Sequence, residues 1–212
     1  MRALLVLLPL LATATPGGSQ APVRPAEAVD VALSTVDLDE LRAHPLRWRG
    51  TPLRVTVQLG TERESWAPGL TRFDQGRFRA FEAWSDTARL WHAGAWADPL
   101  PGLYVRRDAP AAAALAGAGE YGRLELELVL RAISGGEIWA EVTAARRLPR
   151  SVGEGTLIHA GRALDLLADG RPAAAAEEYE RALAAPLPDG HREALEEERA
   201  RALELAEAAL ED

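Results

Sequence analysis

The chain contains no cysteine, no lysine and no asparagine. Without cysteine there can be no disulfide, no thiolate metal site and no thiol nucleophile. Without lysine there is no Schiff-base chemistry, and without asparagine no N-glycosylation acceptor. All 24 basic residues are therefore arginine, a bias that fits a GC-rich coding sequence. Only 6% of the residues are aromatic, so where they cluster is informative. No apolar run approaches the ~18 residues of a bilayer-spanning helix. The formal net charge is −8, and an acidic chain lacks the positive footprint that nucleic-acid phosphates require. No Gly-x-Ser-x-Gly elbow is present. His44, His92, His159 and His191 lie on separate predicted elements, and no two stand at metal-ligand spacing. The expectation is a protein that is not an enzyme and has no cofactor and no metal site.

What is present falls into segments. Arg2, the apolar run Leu4 to Leu11 and the small residues Ala12-Thr13-Ala14 read as a secretory signal peptide over 1–14, cleaved after Ala14. Residues 15–36 are rich in Pro, Gly and Ala and read as a flexible lead-in. The chain then changes character near Pro149. All six tryptophans (Trp48, Trp66, Trp84, Trp91, Trp96, Trp139) precede it. From Thr15 to Arg150 there are 17 Arg against 17 Asp and Glu, whereas Ser151 to Asp212 carries 6 Arg against 15. The expected domains are 37–150 and 151–212.

In the first domain Asp37 predicts a helix cap, with Glu40 completing a capping-box pattern, and His44-Pro45 ends that helix. Leu53, Val55, Val57 and Leu59 alternate with polar residues, the period of a half-buried strand. Thr61 to Gln75 reads as a long polar loop. A second strand runs from about Arg77 to Trp84, and its parity switch between Ala80 and Phe81 predicts a bulge or bend. Arg89 to His92 and Leu103 to Arg106 are shorter strand candidates. Ala109 to Ala116 reads as a helix. Leu124, Leu126, Leu128 and Leu130, then Ile138, Ala140 and Val142 after the turn at Gly135-Gly136, mark the inward faces of two further strands. Gly117-x-Gly119-x-x-Gly122 has dinucleotide-binding spacing but follows a helix and enters a strand, the reverse of what that chemistry needs.

From Gly155 the period becomes helical. Leu157, Ala160, Leu164 and Leu167 share one face of a first helix. Ala175, Ala176, Tyr179, Ala182 and Leu183 share one face of a second. Leu195, Ala202, Leu203, Ala206 and Leu210 lie on one side of a third.

Five short strands with a helix between the third and fourth resemble an OB-fold barrel. Ala163, Leu166, Ala175, Tyr179 and Ala182 have the small–large–aromatic spacing of a tetratricopeptide (TPR) repeat, and the first two C-terminal helices resemble one such repeat. His159, Arg162 and Leu187 depart from its pattern. The expected fold class is thus α+β: a five-stranded OB-like barrel followed by an all-α, TPR-like segment. A single repeat must dock on the third helix, on the barrel or on another protein.

The resemblances imply two functional readings. One is a non-catalytic accessory or scaffold protein, exported to the periplasm or the exterior and working through protein contact in the cell envelope. The alternative is a glycan- or anion-binding module. Phe73, Phe78, Phe81, Trp84, Trp91 and Trp96 are interleaved with Arg72, Arg77, Arg79 and Arg89. The face of the second and third OB strands takes oligomeric ligands in such folds, so Arg77, Arg79, Trp84 and Trp91 are the candidate ligand-binding residues. Against that stands the expectation that these aromatics are core.

Overall fold

The computed structural model describes residues 33–67, 71–134 and 136–211. The expected signal segment and most of the lead-in lie outside them. The end of the lead-in corrects one expectation. Ser34–Thr35 (β1) pairs in parallel with Leu53 and Arg54, and Val36 is buried, so the chain is anchored before residue 37. Asp37 then caps helix α1 (Leu38–Ala43), accepting from the Asp39 amide at 2.7 Å. Leu38 and Leu41 enter the core, and a short helix α2 (Pro45–Trp48) follows.

The alternating run becomes β2 (Pro52–Arg63), which extends past Gly60 to Arg63. It pairs antiparallel with β3 (Phe78–Ser85) on one side and β5 (Arg123–Ser134) on the other. Between β3 and β4 (Leu100–Arg106) lies a short helix α3 (Ala93–Trp96). β4 runs parallel to β6 (Glu137–Arg147), and β6 pairs antiparallel with β5. The order β2-β3-β4-β6-β5 closes through the β2–β5 ladder into a five-stranded mixed barrel. Helix α4 (Pro110–Ala118) sits between its third and fourth strands. This is the OB-like arrangement that the order of elements implied.

The inward positions are as the alternation predicts. Leu53, Val55, Val57, Leu59, Leu124, Leu126, Leu128, Leu130, Ile138, Ala140 and Val142 all join one core, with Ala111, Ala112 and Leu115 of α4 packed into it. Gly102 allows the parallel β4–β6 approach, because a Cβ there would stand 2.0 Å from the Ile138 carbonyl oxygen. Gly119, with φ +73, turns the end of α4 toward β5. The glycine triplet is therefore a helix-to-strand turn.

Two expectations are corrected in this half. Arg89 to His92 is a turn, not a strand, because Leu90 and Trp91 are pulled into buried packing. The third barrel strand is β4 and starts at Leu100. Register shifts face Phe81 to Ala83 in both neighbours, but the extra residue lies in β2 (Leu59 to Glu62) and in β4 (Leu100 to Leu103), so the bulges are in the partner strands and not in β3. The parity switch in β3 has another cause, since both faces of the strand are covered. Phe81 and Ala83 face the barrel core, while Ala80 and Phe78 face a separate aromatic cluster on the outside.

The C-terminal segment is three helices, α5 (Glu154–Ala168), α6 (Pro172–Leu183) and α7 (Asp189–Glu211). α5 ends in a Schellman turn, with the Arg171 amide donating to the Leu166 carbonyl at 2.9 Å and Gly170 to Leu167 at 3.1 Å. Ala163, Ala175, Tyr179 and Ala182 are fully buried, and Leu166 is half-buried at the margin. On α7 the expected apolar side holds only in part. Leu195 and Ala202 are buried, but Leu203 and Leu210 are exposed. The reason is length. With 23 residues against 12, α7 is ~35 Å long and α6 ~18 Å, so α7 outruns the helix that covers it. No helix among the described residues is long and apolar enough to cross a membrane.

Candidate functional site

The barrel and the helices belong to one compact unit, Leu33–Asp212, joined where β3 ends and the chain turns through Asp86 to His92. Trp91 leaves the barrel here and is buried in the helical core beside Ala160, Tyr179 and Leu195. Its indole Nε1 donates to the Glu198 carboxylate of α7 at 3.0 and 3.2 Å. Arg89 donates to the same carboxylate at 3.3 Å, and His92 Nε2 lies 3.1 Å from it. The Tyr179 hydroxyl is buried nearby without a well-formed hydrogen bond. Burial first, and then the Glu198 charge, push its phenol well above the usual range.

A second group of contacts flanks this one. Asp86 and Arg123 form a two-pronged pair at 2.6 Å on each arm. Gln58 Nε2 donates to the Ser85 and Ala88 carbonyls at 2.9 Å each. His191, buried at the start of α7, lies 3.2 Å from the Ala88 oxygen. Two clefts open along the seam. One of about 370 Å³ is lined by Asp86, Arg123, Asp189 and His191, and one of about 230 Å³ by His92, Leu164, Glu198 and Arg201. Arg89 borders both. Its ion pairs, with those of Glu198 and Asp86, are made within the protein, so the seam is built as a clasp. Among the described residues, no three His, Asp or Glu side chains converge as a metal site would need.

Sequence reasoning missed Glu198, His191 and Asp86. The Glu-rich face of α7 reads as solvated. Its one signal is spacing, since Glu198 stands three residues after Leu195 and four before Ala202, on the buried stripe.

His191 gives the seam a pH dependence. Burial is the first cause holding its imidazole below the ordinary value of 6.5. The folded state thus favours the neutral ring, while the unfolded chain takes up a proton. That contribution to stability is complete above about pH 6.5 and is lost as pH falls through the lower folded value. Melting temperatures measured between about pH 7 and pH 5 should decline, and His191→Gln should flatten that slope. An unchanged slope would remove His191 as its origin.

The four candidate ligand-binding residues are not brought together. Arg77 is exposed in a small cleft with Arg106, Arg107 and Asp108. Arg79 is committed to Glu62 through a two-pronged pair, Nε to Oε1 at 2.7 Å, and its guanidinium lies over the Phe81 ring. That bond is the first cause lowering the Glu62 pKa and raising that of Arg79. Trp84 sits at the other end of β3, roughly 20 Å along the strand from Arg77. It is buried under Trp96, with ring centroids 5.4 Å apart, and Tyr121 stacks beside it at 6.1 Å. Trp91 belongs to the helical core. An Arg/Trp platform built from these four is therefore corrected, because each answers to a different neighbour.

The outer face of β3 and β4 is itself filled. Residues from the β2–β3 loop fold back over it. Phe73 stacks on Tyr104 at 4.1 Å with an interplanar angle of 14°, and Trp66 meets Tyr104 edge-on at 5.7 Å. Trp66 Nε1 donates to the Phe73 carbonyl at 2.8 Å. The chain's own phenylalanine thus occupies the stacking position that a ligand ring takes on such a face. The expectation that these aromatics form the barrel core holds for Phe81 alone: Phe73 and Phe78 pack in the outer cluster, Trp91 joins the helical core, and Trp96 is exposed over Trp84.

No family model and no curated protein matches this chain. A solved structure with partial similarity is described as that of an aspartyl-tRNA synthetase from Leishmania major Friedlin. It is 11% identical, the match covers 77% of this chain and 34% of that one, and the TM-score is 0.37.

Proposed function

We propose that the protein is a non-catalytic, exported accessory or scaffold component of a cell-envelope assembly, binding another protein through its C-terminal helices. One observation carries this reading. Of the six large apolar side chains left exposed among the described residues, four (Ile158, Leu203, Leu205 and Leu210) lie on α5 and α7. Leucines left in water on an otherwise charged helix favour a protein interface. The buried Ala163, Ala175, Tyr179 and Ala182 support a TPR-like hairpin, which here leans on both α7 and the barrel through Trp91. Arg2, Leu4 to Leu11 and Ala12 to Ala14 support export to the periplasm or beyond. The test is co-purification from the native envelope. A variant combining Ile158→Arg, Leu203→Arg and Leu205→Arg should lose the partners that the wild-type chain retains. Full retention would end this reading.

A second reading, glycan binding, is favoured by Trp96. It is 41% exposed and rests on the buried Trp84 ring, beside Tyr121. Exposed indole faces of this kind stack on sugars. Tryptophan fluorescence titrated with cell-wall fragments, with Trp96→Ala as the control, separates this reading from the first.

A further inference from the structure

The end of the β2–β3 loop and the turn from β4 into α4 meet at one end of the barrel, and there arginines outnumber acids. The Arg107 amide donates to the Arg77 carbonyl at 2.9 Å, and Phe78 stands opposite Arg106 in the β3–β4 ladder. Backbone bonds therefore hold the two segments together. Between them lies a cleft of about 200 Å³ lined by Gly76, Arg77, Arg106, Arg107 and Asp108. Three guanidiniums face one carboxylate here, in a chain whose formal net charge is −8.

That carboxylate is already taken. Asp108 accepts from Arg106 Nε at 3.0 Å and from its Nη2 at 2.9 Å. The acids around the cleft are engaged as well: Glu62 by Arg79, Glu141 by Arg131 at 2.7 Å, and Asp74 by the Gly76 amide at 2.9 Å. Arg107 Nε donates to the Gln75 carbonyl at 3.1 Å, which fixes its guanidinium. Among the described residues, neither the Arg107 Nη groups nor the Arg77 side chain has an acceptor. Their charge is felt by the paired acids. The Arg106 bond holds the Asp108 carboxyl below its ordinary range, and the Arg77 charge adds to it. The Arg79 bond does the same for Glu62, and the Arg107 charge adds to it. Positive potential is thus in excess even after the local acids have paired.

Two unpaired guanidiniums in one cleft repel each other, and an anion between them removes that repulsion while using the donor fork of each. A carboxylate brings one charge and two oxygens. A phosphomonoester brings close to two charges and three oxygens. The cleft has room for about six or seven waters by their share of the liquid volume, which suits one phosphate group and not a segment of polymer. We propose that this cleft binds the phosphate group of a phosphomonoester, with Arg77 and Arg107 supplying the two charges and Arg106, fixed by Asp108, as a third wall. The cleft shares no residue with the α5–α7 surface or with Trp96, so either functional reading can fail without it.

Isothermal titration calorimetry on the full chain tests this with methyl phosphate at about pH 8, where a monoester is doubly charged. Binding should saturate and should weaken with added salt. Arg77→Gln and Arg107→Gln should each lower affinity roughly tenfold or more, as the loss of hydrogen bonds to a charged group does. Arg162→Gln, which removes an exposed arginine of α5, should bind as the wild type does. Dimethyl phosphate, with one charge and two free oxygens, should bind roughly tenfold more weakly or worse. Absence of saturable binding, equal affinity in all three variants, or equal binding of the diester would each overturn the proposal. Phosphatidylcholine vesicles containing phosphatidic acid, a lipid phosphomonoester, separate the sources of the group. Arg77-dependent co-sedimentation assigns it to a membrane headgroup. Methyl phosphate binding without co-sedimentation assigns it to a soluble or sugar-borne phosphate.

Discussion

Tyr179→Ala should destabilise the protein by about 3–5 kcal/mol, the range for truncating a large buried aromatic. Tyr179 is fully buried, and with Tyr104 it heads the fully buried side chains by size. Its surroundings make the loss hard to relieve. The helical core holds Ala160, Ala163, Ala175, Ala176, Ala182, Ala194 and Ala202, with few large side chains. Alanines are already at their minimum size and cannot swing into a vacated volume, so the cavity should persist. Tyr179→Phe should cost little, because the hydroxyl closes no well-formed hydrogen bond. Leu166→Ala, at the half-buried margin, should cost only roughly 1–2 kcal/mol. Urea unfolding followed by circular dichroism separates the three. If Leu166→Ala proved as damaging as Tyr179→Ala, the tyrosine would not be the residue that fills this core.

That contrast bears on what the sequence could reveal. The barrel strands were legible because each has one buried face, and a period of two is visible in Leu53 to Leu59 and Leu124 to Leu130 without knowing the partner strand. The helix–helix packing was legible because alanines at fixed offsets from Tyr179 report a close approach. The outer aromatic cluster was not legible. Phe73 and Trp66 come from a loop, where no period exists, and they cover Ala80 and Tyr104 from a distance in sequence. The expected ligand face failed for the same reason. Alternating Arg and Phe residues fix which side of β3 each occupies, but not what lies over that side. Arg79 met Glu62 and Trp84 met Trp96, contacts between elements that strand periodicity alone does not reveal. On α7 a continuous apolar side was legible, yet its exposure past Ala202 depends on the length of α6, a property of another element.

The same limit explains Trp91 and sets the second large effect. By sequence Trp91 belongs with the barrel. In the fold it is buried among helical residues, and its indole donates to Glu198, 107 positions away. Trp91→Ala should therefore cost about 3–5 kcal/mol through lost aromatic burial, and it withdraws one of the donors that meet the Glu198 carboxylate. Trp91→Phe keeps one six-membered ring, loses the N–H and leaves a smaller cavity than alanine does. Its cost should be smaller, about 1–3 kcal/mol, because a hydrogen bond to a charged acceptor is lost while Arg89 and His92 remain. The location of the damage matters more than its size. Amide hydrogen exchange on Trp91→Ala should show protection falling in Asp86 to His92 and the first half of α7, while β2 and β5, whose core is the separate barrel cluster, keep theirs. Thermal unfolding should then broaden or split, as the helices detach before the barrel melts. Uniform loss of protection across β2, β5 and α7 would show that barrel and helices share one cooperative core, and that Trp91 is not the point at which they part.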